Sequence, residues 1–144
     1  MQGIVEIGGN KFVERLQVFP SEVAVTVNNQ VQDNLSLVLP GIAGFWLKGL
    51  TAQVVAANVP AVRLYRFRFR NSDGGVNYVG GGVGAASSRV VNNLITGTGQ
   101  FPFPIIPHIY FSPTGSILYE IEDLSANVPY TIYFGWHGSF LIPY

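Results

Sequence analysis

The stretch LYRFRFR, Leu64 to Arg70, alternates an aromatic ring with an arginine. Successive side chains of a strand point to opposite faces, so a strand here places Tyr65, Phe67 and Phe69 on one side and Arg66, Arg68 and Arg70 on the other. A protein that grips single-stranded nucleic acid needs its stacking rings and its cations on the same accessible surface. Alternation separates them. The expected arrangement is therefore rings in a core and arginines outward, toward Glu120 and Glu122, which carry the same two-residue spacing in SILYEIEDL. Cross-strand charge pairs of this kind contribute about 0.2–1 kcal/mol each. The other reading of the arginines is contact with an acidic partner protein, since a planar guanidinium binds a carboxylate at two points.

The same period of two recurs outward from this stretch, broken by turn residues, which is the signature of an all-β sandwich or barrel. EVAVTVN aligns Val23, Val25 and Val27, and LSLVL aligns Leu35, Leu37 and Leu39. SILYEIEDL sets Ile117, Tyr119 and Ile121 against Leu118, Glu120 and Glu122. The last segment sets Tyr130, Ile132, Phe134 and Trp136 against Thr131, Tyr133, Gly135 and His137. GFWLKGLTAQVVAA, Gly44 to Ala57, mixes helix formers with β-branched and aromatic residues and is read as strand. GIVEI and KFVERLQVF read as strands, or as an extended arm over residues 1–20 that pairs with a neighbouring subunit's sheet edge. FPFPIIPHIYF, with Pro102, Pro104 and Pro107, belongs on an edge or crosses between sheets, because proline cannot donate to a central ladder. From Asn71 to Gln100 the chain is rich in Gly, Ser and Asn and reads as a long loop. Its Gly80-Gly81-Gly82 run lacks the Gly-Lys-Ser/Thr ending and strand-to-helix frame of a phosphate cradle. Taken together, residues 1–144 are expected to form one antiparallel β-sandwich domain, jelly-roll or Greek-key-like, with a long Gly/Ser/Asn-rich loop.

Eight basic and eight acidic residues give zero net charge, so no overall field draws the chain to a polyanion, and no nucleic-acid partner is expected. Only 11% of residues are charged while 48% are hydrophobic, against roughly 25% charged in ordinary soluble domains. Such a surface is poorly solubilised alone and suits a chain covered by partners. The longest uncharged runs, Val90–Tyr119 and Leu124–Tyr144, are interrupted by prolines and by period-two patterning, so no membrane span of about 20 apolar residues is expected. Cysteine is absent, which removes disulfides, thiol nucleophiles and thiolate metal sites. MQGIVEIGGNK lacks a basic start followed by an apolar core, which fits a protein made and kept in the cytoplasm.

A hydroxyl nucleophile needs a base, and only His108 and His137 are present, neither in a nucleophile turn. The acidic residues are scattered apart from Glu120, Glu122 and Asp123. Two glutamates on one strand face do not flank a sugar bond from opposite sides. No catalytic role, metal or cofactor is expected.

The run FPFPIIPHIYFSPTGSILYEIEDLSANVPYTIYFGWHG combines a Pro-rich extended segment, a strand ending near a Gly turn, an Ile-x-x-x-Ile-x-Asp-Leu-Ser strand-turn and a final strand. It resembles small virion structural proteins of tailed bacteriophages through Pro102, Phe103, Pro104, Pro107, Ile117, Ile121, Asp123, Leu124 and Ser125. FWLKGL and RFRFRNSDGG resemble the family's earlier strands, so the likeness spans roughly Phe45 to Gly138. It departs where Tyr110 and Ala126 stand in place of the family's frequent Arg and Gly. The resemblance implies a β-sandwich that decorates or cements a capsid, in contact with the major capsid protein or other virion proteins and assembled as a homo-oligomer in the host bacterial cytoplasm. A place in the collar, tail or baseplate is the alternative. Assembly interfaces favour Tyr, Trp, Phe and Arg over Lys, Glu and Asp, and this chain has two Trp, seven Tyr and ten Phe. Candidate contact residues are Arg66, Arg68, Arg70, the Gly74–Gly84 region, Tyr133, His137, Phe140 and Tyr144. A carbohydrate- or receptor-binding module is the reading from a different class, because exposed rings stack on sugars.

Overall fold

The computed structural model describes residues 2–26, 29–41, 43–55, 65–72, 90–91, 102–124 and 129–144. Within them the chain forms strands β1 (Gln2–Ile7), β2 (Asn10–Val25), β3 (Val31–Val38), β4 (Gly44–Val55), β5 (Tyr65–Asn71), β6 (Val90–Val91), β7 (Phe103–Phe111), β8 (Ser116–Asp123) and β9 (Tyr130–Pro143). They assemble into a five-stranded sheet, β1-β2-β9-β4-β7, and a four-stranded sheet, β3-β8-β5-β6, with antiparallel pairing throughout. This is a β-sandwich, as the alternating pattern predicts.

The opening stretch behaves as its alternation requires. Tyr65, Phe67 and Phe69 are buried, and the β5–β8 register sets Phe67 against Ile121 and Phe69 against Tyr119. From the opposing sheet, Ile132, Phe134 and Trp136 of β9 complete the core. The sheets meet through rings: Phe134 lies edge-on to Tyr65 at 6.0 Å and to Tyr119 at 5.7 Å, and Trp136 lies edge-on to Phe69 at 5.4 Å. Edge-to-face geometry adds about 0.5–1.5 kcal/mol per pair beyond area burial. Two polar ends of the core are paired. Trp136 Nε1 donates to Ser21 Oγ at 3.0 Å, and the Tyr130 hydroxyl donates to Asp123 Oδ1 at 2.7 Å, tying one sheet to the other.

Strand β9 is central, with β2 on one side and β4 on the other. Strand β4 comes close because Gly138 has no side chain: a Cβ there would run into the Trp46 carbonyl. The register of β4 on β9 slips by one between Leu47 and Gly49, leaving Lys48 as an extra, bulged residue. On its other flank β4 pairs with β7, which carries the four residues 105–108 between the pairs Leu47↔Ile109 and Gly49↔Pro104. The proline-rich segment is thus an edge strand.

Residues 2–20 are built into the sheet. Residues 2–7 fold back on 10–15 through Gly8 and Gly9, whose φ values of 58° and 82° fit a two-residue turn open to glycine. Residues 12–25 then pair with β9 of the same chain. KFVERLQVF and EVAVTVN prove to be one strand, in which Val23 and Val25 face the core. Pro20 falls where β2, beyond Arg15, has no described neighbour on its β1 side, so its missing N–H costs no ladder bond there. In β3 the inward Leu35 and Leu37 are half-buried because the strand is at the edge, and Leu39 beyond it is buried. The segment read as a structureless loop contributes one short strand: Val90 and Val91 pair with Phe67 and Arg66. Residues 73–89 and 92–100 of that loop, with Gly74–Gly84, and the inward-read Val27 lie outside the described residues.

Candidate functional site

Each sheet turns one face away from the core, and the two faces differ in chemistry. On the four-stranded sheet, the register places Arg66 opposite Glu122 and Arg68 opposite Glu120. Arg68 Nε meets Glu120 Oε1 in a pair shielded from water, while Arg66 Nη1 lies 3.8 Å from Glu122 Oε1 with its side chain well exposed. The arginines therefore face outward as expected, but two of them spend their charge inside the chain. Arg70 is exposed opposite Leu118, and among the described residues it has no ion pair.

On the five-stranded sheet the outward row of β2 is Phe12, Glu14, Leu16, Val18, Pro20 and Glu22. The outward row of β9 is Thr131, Tyr133, Gly135, His137, Ser139 and Leu141, and β4 adds Trp46, Thr51 and Val55. Leu16 is 59% and Val18 48% exposed, and Tyr133, Tyr110 and Val55 are exposed elsewhere on the same face. The charges of Glu14 and Lys48 cancel in a direct ion pair, and Lys48 also lies 5.7 Å above the Trp46 ring. Burial lowers the Lys48 pKa. Near the hairpin end, Ile7, Asn10, Phe12, Trp46, Tyr110 and Leu141 line an apolar cleft.

Both histidines sit on this face. His108 packs edge-on to Trp46 at 5.4 Å, and partial burial, reinforced by the nearby Lys48 charge, lowers its pKa. His137 Nε2 is 3.0 Å from Thr51 Oγ1, across a gap kept open by Gly135, whose Cβ would collide with that hydroxyl. Burial lowers the His137 pKa as well. A hydroxyl on an imidazole is the first half of a nucleophile–base pair. Here the Thr51 hydroxyl is buried and also lies 3.4 Å from the Gly135 carbonyl. The carboxylates that could orient an imidazole are engaged elsewhere: Glu14 with Lys48, Glu120 with Arg68, Glu122 with Arg66 and Asp123 with Tyr130. Among the described residues no three of His, Asp or Glu gather where they could hold a metal ion, and no helix is long and apolar enough to cross a membrane.

The other candidate contact residues separate. Tyr133 is exposed on the apolar face, and Tyr144 is exposed just past β9, its N–H bonded to the Lys11 carbonyl at 3.0 Å. Phe140 is not on the surface. It is 5% exposed and packs edge-on against Phe19 and Phe45, so its ring serves the core. Period two carries that information, since 130, 132, 134, 136 and 140 share one parity. Leu16, Val18, Trp46 and Tyr110 form the apolar face without having been singled out. In KFVERLQVF one row reads Phe, Glu, Leu, Val and the other Lys, Val, Arg, Gln, Phe, so the row that turns outward is the less polar of the two and polarity alone points the wrong way.

No family model matches the chain, and no curated protein or solved structure matches it.

Proposed function

We propose that this chain is a non-enzymatic structural protein of a tailed-phage virion, acting as a capsid decoration or cement subunit that stabilises the head through repeated contacts with the major capsid protein and with its own copies. The observation that carries the reading is the outward face of the five-stranded sheet. Leu16, Val18, Tyr133 and Tyr110 are exposed on it, and its central charges, Glu14 and Lys48, neutralise each other. A rigid apolar face with aromatic members and few free charges is suited to a large protein partner. The motif resemblance over Phe45–Gly138 supplies the virion setting. Many weak copies of one contact across adjacent subunits make separation of those subunits costly without any single strong bond.

The test is biochemical fractionation of particles from an infected bacterial culture. Retention of the protein on emptied, tailless heads, and its loss from them on Leu16→Asp with Val18→Asp, is the expected result. Recovery only on isolated tails or baseplates moves the subunit to that part of the particle and rejects decoration.

A second reading draws on the cleft lined by Phe12, Trp46, Tyr110 and Asn10, where rings and an amide meet as they do in sugar-binding sites. Glycan-array binding by the isolated protein that disappears with Trp46→Ala favours it, and silence across the array removes it.

A further inference from the structure

We propose that the free edge of β1 pairs antiparallel with β1 of a second copy, about a two-fold axis through Ile4, so that two five-stranded sheets continue as one. An unpaired strand edge presents a row of N–H and C=O groups that template another strand, and proteins blunt such edges with prolines, bulges or charges. Three described edges of this molecule are blunted. Strand β7 carries Pro104 and Pro107 and the four-residue excursion at 105–108. Strand β3 breaks register between Gln32 and Leu35. The uncovered stretch of β2 contains Pro20. Strand β1 has neither proline nor bulge and a single charge, Glu6: six residues in unbroken register with β2, and with space beside Gly3, where an added Cβ would meet nothing within 4 Å.

The β1–β2 end also lacks cover on both faces. Ile4, on the core-side face, is 61% exposed, and Lys11 and Arg15 on the same face are exposed, so the opposing sheet does not reach this far. On the other face Ile7 is exposed and Val5 half-buried. Pairing with a second copy would cover Ile4 and extend the backbone ladder at once.

Charge and parity select the register. A two-fold axis normal to the sheet keeps like faces together, so opposed residue numbers must sum to an even value. An axis at Glu6 sets two carboxylates face to face, which is destabilising. One at Val5 sets Ile4 against Glu6. The axis at Ile4 sets Ile4 against Ile4, Gly3 against Val5, and Gln2 against Glu6. Its two Glu6 residues lie about 14 Å apart at roughly 3.4 Å per residue, beyond the Debye length of about 8 Å at physiological salt. This register is self-complementary and opposes no like charges.

The inference deepens the proposed role by naming a second copy as one partner, and its test is independent of particles. Light scattering over a concentration series should give twice the chain mass for the wild type. Ile4→Lys and Ile4→Glu should each give monomers with the same urea midpoint as wild type at concentrations where it is monomeric, and an equimolar mixture should recover the dimer because position 4 faces position 4. The chain has no cysteine, so Ile4→Cys should cross-link on mild oxidation while Val18→Cys should not. A monomeric wild type, or a dimer that survives both charged variants, overturns the proposal. The latter result in a protein that still binds heads would leave the decoration role standing, whereas a β1 dimer never found on particles would do the reverse.

Discussion

The two outward faces of this sandwich arise from the same alternation and have opposite chemistry. On the four-stranded sheet, arginine and glutamate rows meet in register, Arg68 with Glu120 and Arg66 with Glu122. On the five-stranded sheet the corresponding positions hold Leu16, Val18, Tyr133 and Thr51, with one cancelled pair, Glu14 and Lys48, and Glu22 toward one end. Charge density in the sequence therefore marks the self-satisfied side. The side with contact capacity is the one that draws less attention in the sequence, since an apolar group left in water gains from any complementary surface.

The largest effect expected is on the layer between the two faces. Trp136→Ala removes a fully buried indole that touches Phe69, Tyr119 and Phe134. Truncating such a side chain costs about 3–5 kcal/mol, read as a shift of the urea midpoint at unchanged slope. A loss below about 1 kcal/mol would mean that the rings do not form one packed layer, and the comparison of two outward faces would lose its basis.

Next comes the paired face itself. Glu120→Ala leaves the shielded Arg68 without its direct partner, at a cost of about 2–3 kcal/mol, somewhat below the range of roughly 3–5 kcal/mol for a fully buried pair. Glu122→Ala touches the looser pair at 3.8 Å, whose exposed arginine holds its cost to about 0–1 kcal/mol. Replacing Arg68 and Glu120 together by leucine is expected to be nearly neutral. Equal losses from Glu120→Ala and Glu122→Ala in denaturant titrations would show that shielding does not distinguish the pairs.

The β5–β8 face was legible from residues alone because two strands each state the same two-residue spacing in opposite charges. The central position of β9 was not, since nothing local in YTIYFGWHGSF names β2 and β4 as its neighbours; that pairing is set by long-range burial of Trp136 and by the room Gly138 leaves. The Lys48 bulge was hidden for a related reason, as one extra residue only shows once a partner strand counts against it. The Ile7-Gly8-Gly9-Asn10 turn carried a readable signal, two glycines between alternating segments. It turns residues 2–7 back onto β2 of the same chain. Phe140 is instructive in the other direction. Nearness to the chain end suggested a surface role, while its parity had already assigned it inward.

A smaller effect separates the faces by pH. Burial lowers the His137 pKa below its ordinary value near 6.5. The folded state thus prefers the neutral ring, and the unfolded chain binds more protons as pH falls. The stability contributed by neutral His137 is present above about pH 6.5 and is lost as pH drops through the lowered folded value. His108 adds in the same sense, through burial and then Lys48. Urea midpoints should therefore decline between pH 7.5 and 5, and His137→Gln should flatten part of that decline. An unchanged slope in the variant would place the pH response on His108 or on the carboxylates rather than on His137.

The smallest expected change in stability is the most telling for the comparison. Leu16→Ser and Val18→Ser alter side chains that already face water from β2, so each should move the unfolding free energy by no more than about 0.5 kcal/mol. Both residues nonetheless supply apolar area to the face that the proposed role requires, and their removal should raise the concentration at which the isolated protein stays in solution. On the opposite face, Arg70→Ser removes a charge exposed on β5 and should leave stability equally unmoved while lowering solubility. The pairing of outcomes is what matters: solubility should move in opposite directions for two substitutions to the same residue, with stability constant in both. If Leu16→Ser instead destabilises the fold by 2 kcal/mol or more, that side chain is covered by its own chain, and the five-stranded sheet has no apolar face to offer.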